Sequence, residues 1–389
     1  MDNMVKDNKK IITLIFCSLI MMTTAASDSL RGIFLPEFRS TFYLTDSQAS
    51  IIIMSSYIGN LLFLLIGGRI SDKIPRKRFM LVVIFIWIAA LGVHVFTENY
   101  YILLLTIMFT MGASTMISTS VNIITPLMFA SPALFVSIFN FLQGIGITLT
   151  QNIGGRFAGN IKSWHIANLI MLSSAVICFI LLMTLDIPDP ERPEEKVSYK
   201  ALAKDPATWL LIMICGCYFV AEHGLMNWLT SYGSEHLGFT VSESAMYLSL
   251  FFGGITLGRL IFAPLIEKIG VFRSLLIWSS VGVLLYTAGI ALGRRGIMLL
   301  AVSGIAFSII YPMLVMLIGK FYDPGIVGSA TGFILSIGTL FDIFFNAFFG
   351  KLVENVGYGK AIIVLPVSAV LWCVLLYILK FCVKRSEKE

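Results

Sequence analysis

Twelve long apolar segments joined by short polar loops run through this chain, and no water-soluble core can absorb so many of them. A helix needs about 20 residues to cross a hydrocarbon layer of roughly 30 Å. Crossings are expected near 11–35, 46–69, 79–97, 101–126, 134–158 and 165–186, and again near 207–231, 242–266, 274–292, 296–320, 327–350 and 359–382. Composition agrees: 57% of the 389 residues are apolar and 13% charged, against roughly 45–50% and 25% in soluble domains. The expected fold class is an all-α membrane protein with the lipid bilayer as its solvent. The first segment is too long for a signal-peptide core and reads as a retained helix.

Lys and Arg alternate between loops. Eighteen of them lie in the N-terminal tail, the even-numbered loops and the C-terminal stretch; six (Arg39, Lys162, Arg294, Arg295, Lys351, Lys360) lie on the other side. By the positive-inside rule, both termini and the central loop are expected on the cytoplasmic side of the cell membrane. The net charge of +6 sits in those inner loops, where anionic headgroups meet it, and calls for no nucleic acid. Cys215 and Cys217 are two apart, on different helix faces, and the four histidines show no ligand spacing, so no metal site and no cofactor is expected.

Residues 187–206, with four prolines and many charges, cannot bury a core and read as a solvated cytoplasmic linker between residues 1–186 and 207–389. The sequence repeats across it. Asp72-Lys73-Ile74-Pro75 matches Glu267-Lys268-Ile269-Gly270 at an offset of 195, and Gly59 matches Gly254 at the same offset. Two pseudo-symmetric bundles of six helices follow, with a pathway expected between them and access alternating as they rock. One chain of this design needs no second copy to form a pathway, so a monomer is expected to function.

The loop Gly68-Arg69-Ile70-Ser71-Asp72-Lys73-Ile74-Pro75-Arg76-Lys77 resembles the signature between the second and third helices of the major facilitator superfamily, with Pro75 where glycine is usual. The resemblance implies that Asp72 caps a neighbouring helix and, with Arg76 and Arg78, latches the cytoplasmic side; the plainer reading of the arginines is topology alone. Leu30-Arg31-Gly32-Ile33-Phe34-Leu35-Pro36-Glu37-Phe38, then Phe42-Tyr43-Leu44-Thr45 and Gln48-Ala49, are similar to the fucose permease branch of sugar:proton symporters. Cys217-Tyr218-Phe219-Val220-Ala221-Glu222, Trp228-Leu229, Gly258-Arg259 and Tyr311-Pro312 extend that likeness. Where that branch carries acids in its first and fourth helices, this chain has Gly32 and Ser118, so any proton coupling uses other carboxylates.

Ionisable groups inside a bilayer cost about 2.5–3.5 kcal/mol each and mark function unless they are paired. Glu222 lies about 15 residues, roughly 22 Å, into the seventh helix. Asp342, with Asn346 one turn on, lies at similar depth in the eleventh, and Asp28 one turn before Gly32 in the first. All three are proton-coupling candidates, although Asp28 can equally pair with Arg31 at the helix mouth. Arg259 is a gating or snorkelling arginine, or a clamp on a substrate carboxylate. Asn140 and Gln143, three apart in the fifth helix, offer donors and acceptors suited to hydroxyls. Asn227, Trp228, Tyr218 and Tyr311 add aromatic faces and hydrogen bonds. The expectation is a proton-driven carrier of a small polar solute, foremost a sugar, with an organic-anion carrier or a drug or metabolite efflux antiporter as alternatives. No nucleophile or paired acid and base has the spacing an enzyme needs.

Overall fold

The computed structural model describes residues 2–71, 74–129, 132–189, 199–322 and 327–386. Its long helices are α1 (Asp2–Ile33), α2 (Asp46–Ser71), α3 (Arg76–Phe96), α4 (Tyr100–Met128), α5 (Pro132–Phe157) and α6 (Ile161–Thr184) in the first half. The second half holds α7 (Pro206–Glu235), α8 (Val241–Ile269), α9 (Val271–Ala291), α10 (Ile297–Phe307, resuming as Ile310–Phe321), α11 (Val327–Val356) and α12 (Val364–Ser386). Ten of these satisfy both length and hydropathy for a membrane span. The remaining two, α5 and α8, are 26 and 29 residues long.

The chain divides into two compact units between residues 194 and 195. Within the first, α1 packs on α5, α2 on α4, and α3 on α4 and α6. Within the second, α7 packs on α11, α8 on α10, and α9 on α10 and α12. The pairing recurs with a shift of six helices, as the 195-residue repeat requires.

Local chemistry recurs at the same offset. The start of α2 is closed by a capping box: Thr45 N–H donates to Gln48 Oε1 at 2.9 Å and Gln48 N–H to Thr45 Oγ1 at 3.2 Å. The start of α8 is closed by its counterpart, Thr240 N–H to Glu243 Oε2 at 2.7 Å and Glu243 N–H to Thr240 Oγ1 at 3.1 Å. Gly59 lets α2 approach α4 so closely that a Cβ there would overlap the Met108 carbonyl oxygen. At Gly254 the crossing of α8 and α10 is a little wider, a Cβ standing 3.0 Å from the Ile305 nitrogen.

One expectation is refined. The linker is structured at both ends: Asp189 Oδ1 accepts from the Arg76 N–H at 2.6 Å, capping α3, and Asp205 caps α7 by accepting from the Ala207 N–H at 3.0 Å. A short helix, Tyr199–Leu202, lies between them, with Leu202 buried, and residues 190–198 lie outside the described residues. α10 breaks at Ser308 and Ile309, one turn before Pro312. Pro312 has no N–H for the Ser308 carbonyl, and the Arg259 Nε–H reaches that oxygen instead, at 3.4 Å.

Candidate functional site

The polar interior of the second unit is built on α7. Twenty-two of its residues are buried, and among them Glu222 retains only 8% exposure. The Tyr218 hydroxyl, one turn earlier, is hydrogen-bonded to Glu222. Tyr286 on α9 donates to the neighbouring Ala221 carbonyl at 2.8 Å, and Arg259 on α8 and Tyr311 on α10 lie within electrostatic reach of the cluster. Three tyrosines therefore lie near this carboxylate, and Arg259 lies near two of them, Tyr218 and Tyr311. The Arg259 Nε–H meets the Ser308 carbonyl at the broken turn of α10, and its charge lies near Tyr218 and Tyr311.

The next residue on α7 carries the second carboxylate's partner. His223 Nδ1 lies 2.8 Å from Asp342 Oδ2 on α11, with side-chain exposures of 31% and 1%. Asp342 Oδ1 has no hydrogen-bond partner among the described residues. Asn346 shares the face of Asp342: its Nδ2 donates to the Asp342 carbonyl at 2.8 Å and its Oδ1 accepts from Trp228 Nε1 at 2.9 Å. Trp228 and Asn227 are fully buried, and Trp228 also packs on Phe349. That places Trp228 in the α7–α11 seam, while Tyr311, at 37%, is the exposed aromatic of the set.

In the first unit, the Asp28 carboxylate accepts from the Ser114 hydroxyl at 2.6 Å. Arg31 does not put its hydrogen bond on that carboxylate. Its Nη1 donates to the Asp28 backbone carbonyl at 2.9 Å, and the guanidinium lies 5.2 Å from the centre of the Tyr57 ring. At 5% exposure Arg31 lies inside the bundle rather than at an open helix mouth. Both residues line a small polar cavity with His94, Trp164 and Asn168. His94 Nδ1 meets Asn168 Oδ1 at 3.1 Å, and Asn168 Nδ2 donates to the Trp164 carbonyl. Asn168 thereby presents an acceptor, which puts the proton of neutral His94 on Nδ1 and leaves Nε2 facing no partner among the described residues.

Asn140 and Gln143 are half-buried on α5. Gln143 Nε2 donates to Ser118 Oγ on α4 at 3.2 Å, whereas Asn140 Nδ2 turns back to the Val136 carbonyl of its own helix at 2.9 Å. They belong to the first unit; Tyr218, Asn227, Trp228 and Tyr311 belong to the second. Of the latch residues, Asp72 lies outside the described residues, Arg76 is buried at 5% and Arg78 is exposed. The residues missed by sequence reasoning are His223, His94 and Ser114. Their partners stand 119, 74 and 86 positions away, so no local spacing marks them.

A family model for the Major Facilitator Superfamily matches residues 17–340. An uncharacterized MFS-type transporter, YceJ of Bacillus subtilis (strain 168), is 23% identical over 272 residues, covering 66% of this chain and 67% of that protein. Among solved structures, the nucleoside transporter NupG in a mutant form is similar with a TM-score of 0.78 at 14% identity, covering 95% of this chain and 99% of that one. The E. coli fucose:proton symporter FucP, also a mutant form, gives 0.68 at 16% identity over 95% and 98%. At such identities the structures establish the shared fold, and the match across most of the sequence establishes the kinship: this multi-pass membrane chain belongs to the Major Facilitator Superfamily of transporters.

Proposed function

We propose that this transporter carries a small polar solute of the sugar or polyol class across the cytoplasmic membrane together with protons, by alternating access, as a monomer with both termini cytoplasmic. The observation that carries this reading is the placement of Glu222 and Asp342, two carboxylates buried in the second unit and held by titratable or hydroxyl-bearing neighbours. A buried acid in a bilayer is expensive, and a carrier that loads and unloads protons gives it a use. In the first unit Asn140 and Gln143 with Ser118, and in the second Tyr218 and Tyr311, carry the kinds of donors, acceptors and aromatic faces that polyhydroxylated solutes need. The basic inner loops support the orientation, and Arg76, Arg78 and Asp72 remain the proposed cytoplasmic latch.

The test is proton movement in proteoliposomes, followed with a pH dye while neutral sugars, then organic anions, then lipophilic cations are added outside. External alkalinisation on adding a sugar, lost in Glu222→Gln or Asp342→Asn, is the expected result. Silence to sugars with a response to lipophilic cations would replace uptake by efflux. One observation favours a second reading: Arg31 is buried beside a polar cavity, with its Nε meeting no acceptor among the described residues, as an organic-anion carrier would need. A response confined to anions, lost in Arg31→Gln, would establish that alternative.

A further inference from the structure

Four buried polar side chains of the first unit, Arg31, His94, Trp164 and Asn168, line one cavity, and each is fixed by its neighbours. The Trp164 ring of α6 lies edge-on to Phe34 and Phe38, with ring centres 5.6 and 4.9 Å away, and 5.1 Å from the centre of the His94 ring. Asn168, one turn along α6, commits its amide N–H to the Trp164 carbonyl and so turns its oxygen to His94 Nδ1. Arg31 Nη1 donates to the Asp28 carbonyl and the Met111 sulfur, and Nη2 to the Tyr57 hydroxyl at 3.4 Å. Three nitrogens are left over. Arg31 Nε–H, Trp164 Nε1–H and His94 Nε2 have no hydrogen-bond partner among the described residues. Two donors and one acceptor decide what can sit among them. With His94 neutral and its proton on Nδ1, Nε2 is a lone pair, so the guest must donate as well as accept. An anion cannot donate to it and a cation cannot accept from the other two; a neutral hydroxyl oxygen does both. Charge points the same way, because the Asp28 carboxylate lies within electrostatic reach of the Arg31 guanidinium and offsets it. Size sets the limit: the cavity has about 10 Å³ for the centre of a water-sized guest, room for one oxygen.

Resting on the sugar or polyol reading above, we infer that this cavity is a hydroxyl pocket: it seats one water, and one hydroxyl of the solute takes that water's place. The oxygen accepts from Arg31 Nε–H and Trp164 Nε1–H and donates to His94 Nε2. Ser27, Asp28 and Met111, the half-buried members of the lining, mark the side from which the solute reaches in, and the rest of it stays beyond them. His94, Trp164 and Arg31 are then specificity-determining residues, and Asn168 is a positioning residue that acts through the His94 tautomer. A solute group that cannot reproduce the water's bonds leaves buried donors and an acceptor unmatched, which is how such a pocket rejects it.

The test uses the full chain in lipid, with fucose and xylose as probes. Uptake of the labelled sugars into vesicles identifies which one is carried, and singly deoxygenated forms of that sugar are then competed against it. One of these forms should bind about tenfold or more weakly than its parent to the wild type. It should bind as well as the parent to His94→Phe, which keeps a ring and loses the acceptor, and the preference should return in part in His94→Gln. A preference unchanged in His94→Phe overturns the inference. Should that variant fail to fold, Trp164→Phe, which removes only an indole N–H from the pocket, carries the same expectation. The water is read separately, by ¹⁵N NMR of the histidine-labelled chain without sugar. The His94 signal, identified by its loss in His94→Gln, should show Nδ1 protonated and Nε2 bare and in contact with water protons. A proton on Nε2, or no water contact, overturns the pocket whatever is carried. With ¹³C-labelled sugar, Nε2 should gain a contact to a sugar carbon; a carried sugar that leaves only the water contact at saturation marks a structural water and overturns the exchange. Acetate that moves the Nε2 signal while the sugars do not would make this an anion site and overturn it too. If neither sugar is carried but the water contact is seen, the sugar reading falls, the exchange falls with it, and the water site stands.

Discussion

Asp28 and His223 occupy equivalent positions in the repeat, 195 residues apart on the first helix of each unit, yet their surroundings have diverged. Asp28 is an acid fixed by a hydroxyl of α4, with a guanidinium on its own backbone carbonyl. His223 is a base fixed by an acid of α11. The scaffold around them has not diverged in the same way: the capping boxes at Thr45 and Thr240 and the glycine crossings at Gly59 and Gly254 keep their places. Duplication preserved what holds helices together and released the polar interior, so the two units share an architecture without sharing a charge arrangement.

The comparison breaks first at the acids. Asp342→Asn should lower proton-driven accumulation at least about tenfold, the scale of a typical coupling free energy. Asp28→Asn, whose amide oxygen still accepts from Ser114, should stay within about threefold by the same measure, and equal losses in a paired uptake assay would show that both units couple protons.

The glycine crossings come next. Gly59→Ala drives a methyl into the Met108 backbone and should cost about 1–3 kcal/mol, whereas Gly254→Ala should cost less because its nearest neighbour is farther away. Thermal melting in detergent checks this, and a reversed order would contradict the closer approach of α2 to α4.

The caps sharpen it last. Thr45→Ala and Thr240→Ala should each cost about 0.5–2 kcal/mol. Replacing Glu243 by Gln should lower the melting temperature less than Thr240→Ala does, by removing a charge that favours a helix N-terminus. Melting at low and high salt separates that charge from the hydrogen bond: the Glu243→Gln difference should shrink with salt and the Thr240→Ala difference should not.

Much of this was readable in the residues because lipid imposes a simple rule on them. Length and apolarity announce a crossing, and Asn346 could be put on the face of Asp342 by counting one turn. The bend at Pro312 follows from a missing N–H. Pairing between helices distant in sequence was not readable. His223 looks like a lone histidine until α7 and α11 are brought together, and Arg31 looks like a helix-mouth arginine until Tyr57 is seen beneath it. The linker's composition announced a solvated tether, but not that Asp189 and Asp205 would leave it to cap α3 and α7.

The break in α10 ties two positions together over evolutionary time. Because Arg259 supplies to Ser308 the donor that Pro312 withholds, a relative that replaces the proline regains a backbone donor and loosens the demand for an arginine. Substitutions at 259 and 312 should therefore be found together more often than chance allows. A transplanted α10 should bring its proline into a new host only where an arginine already waits on α8.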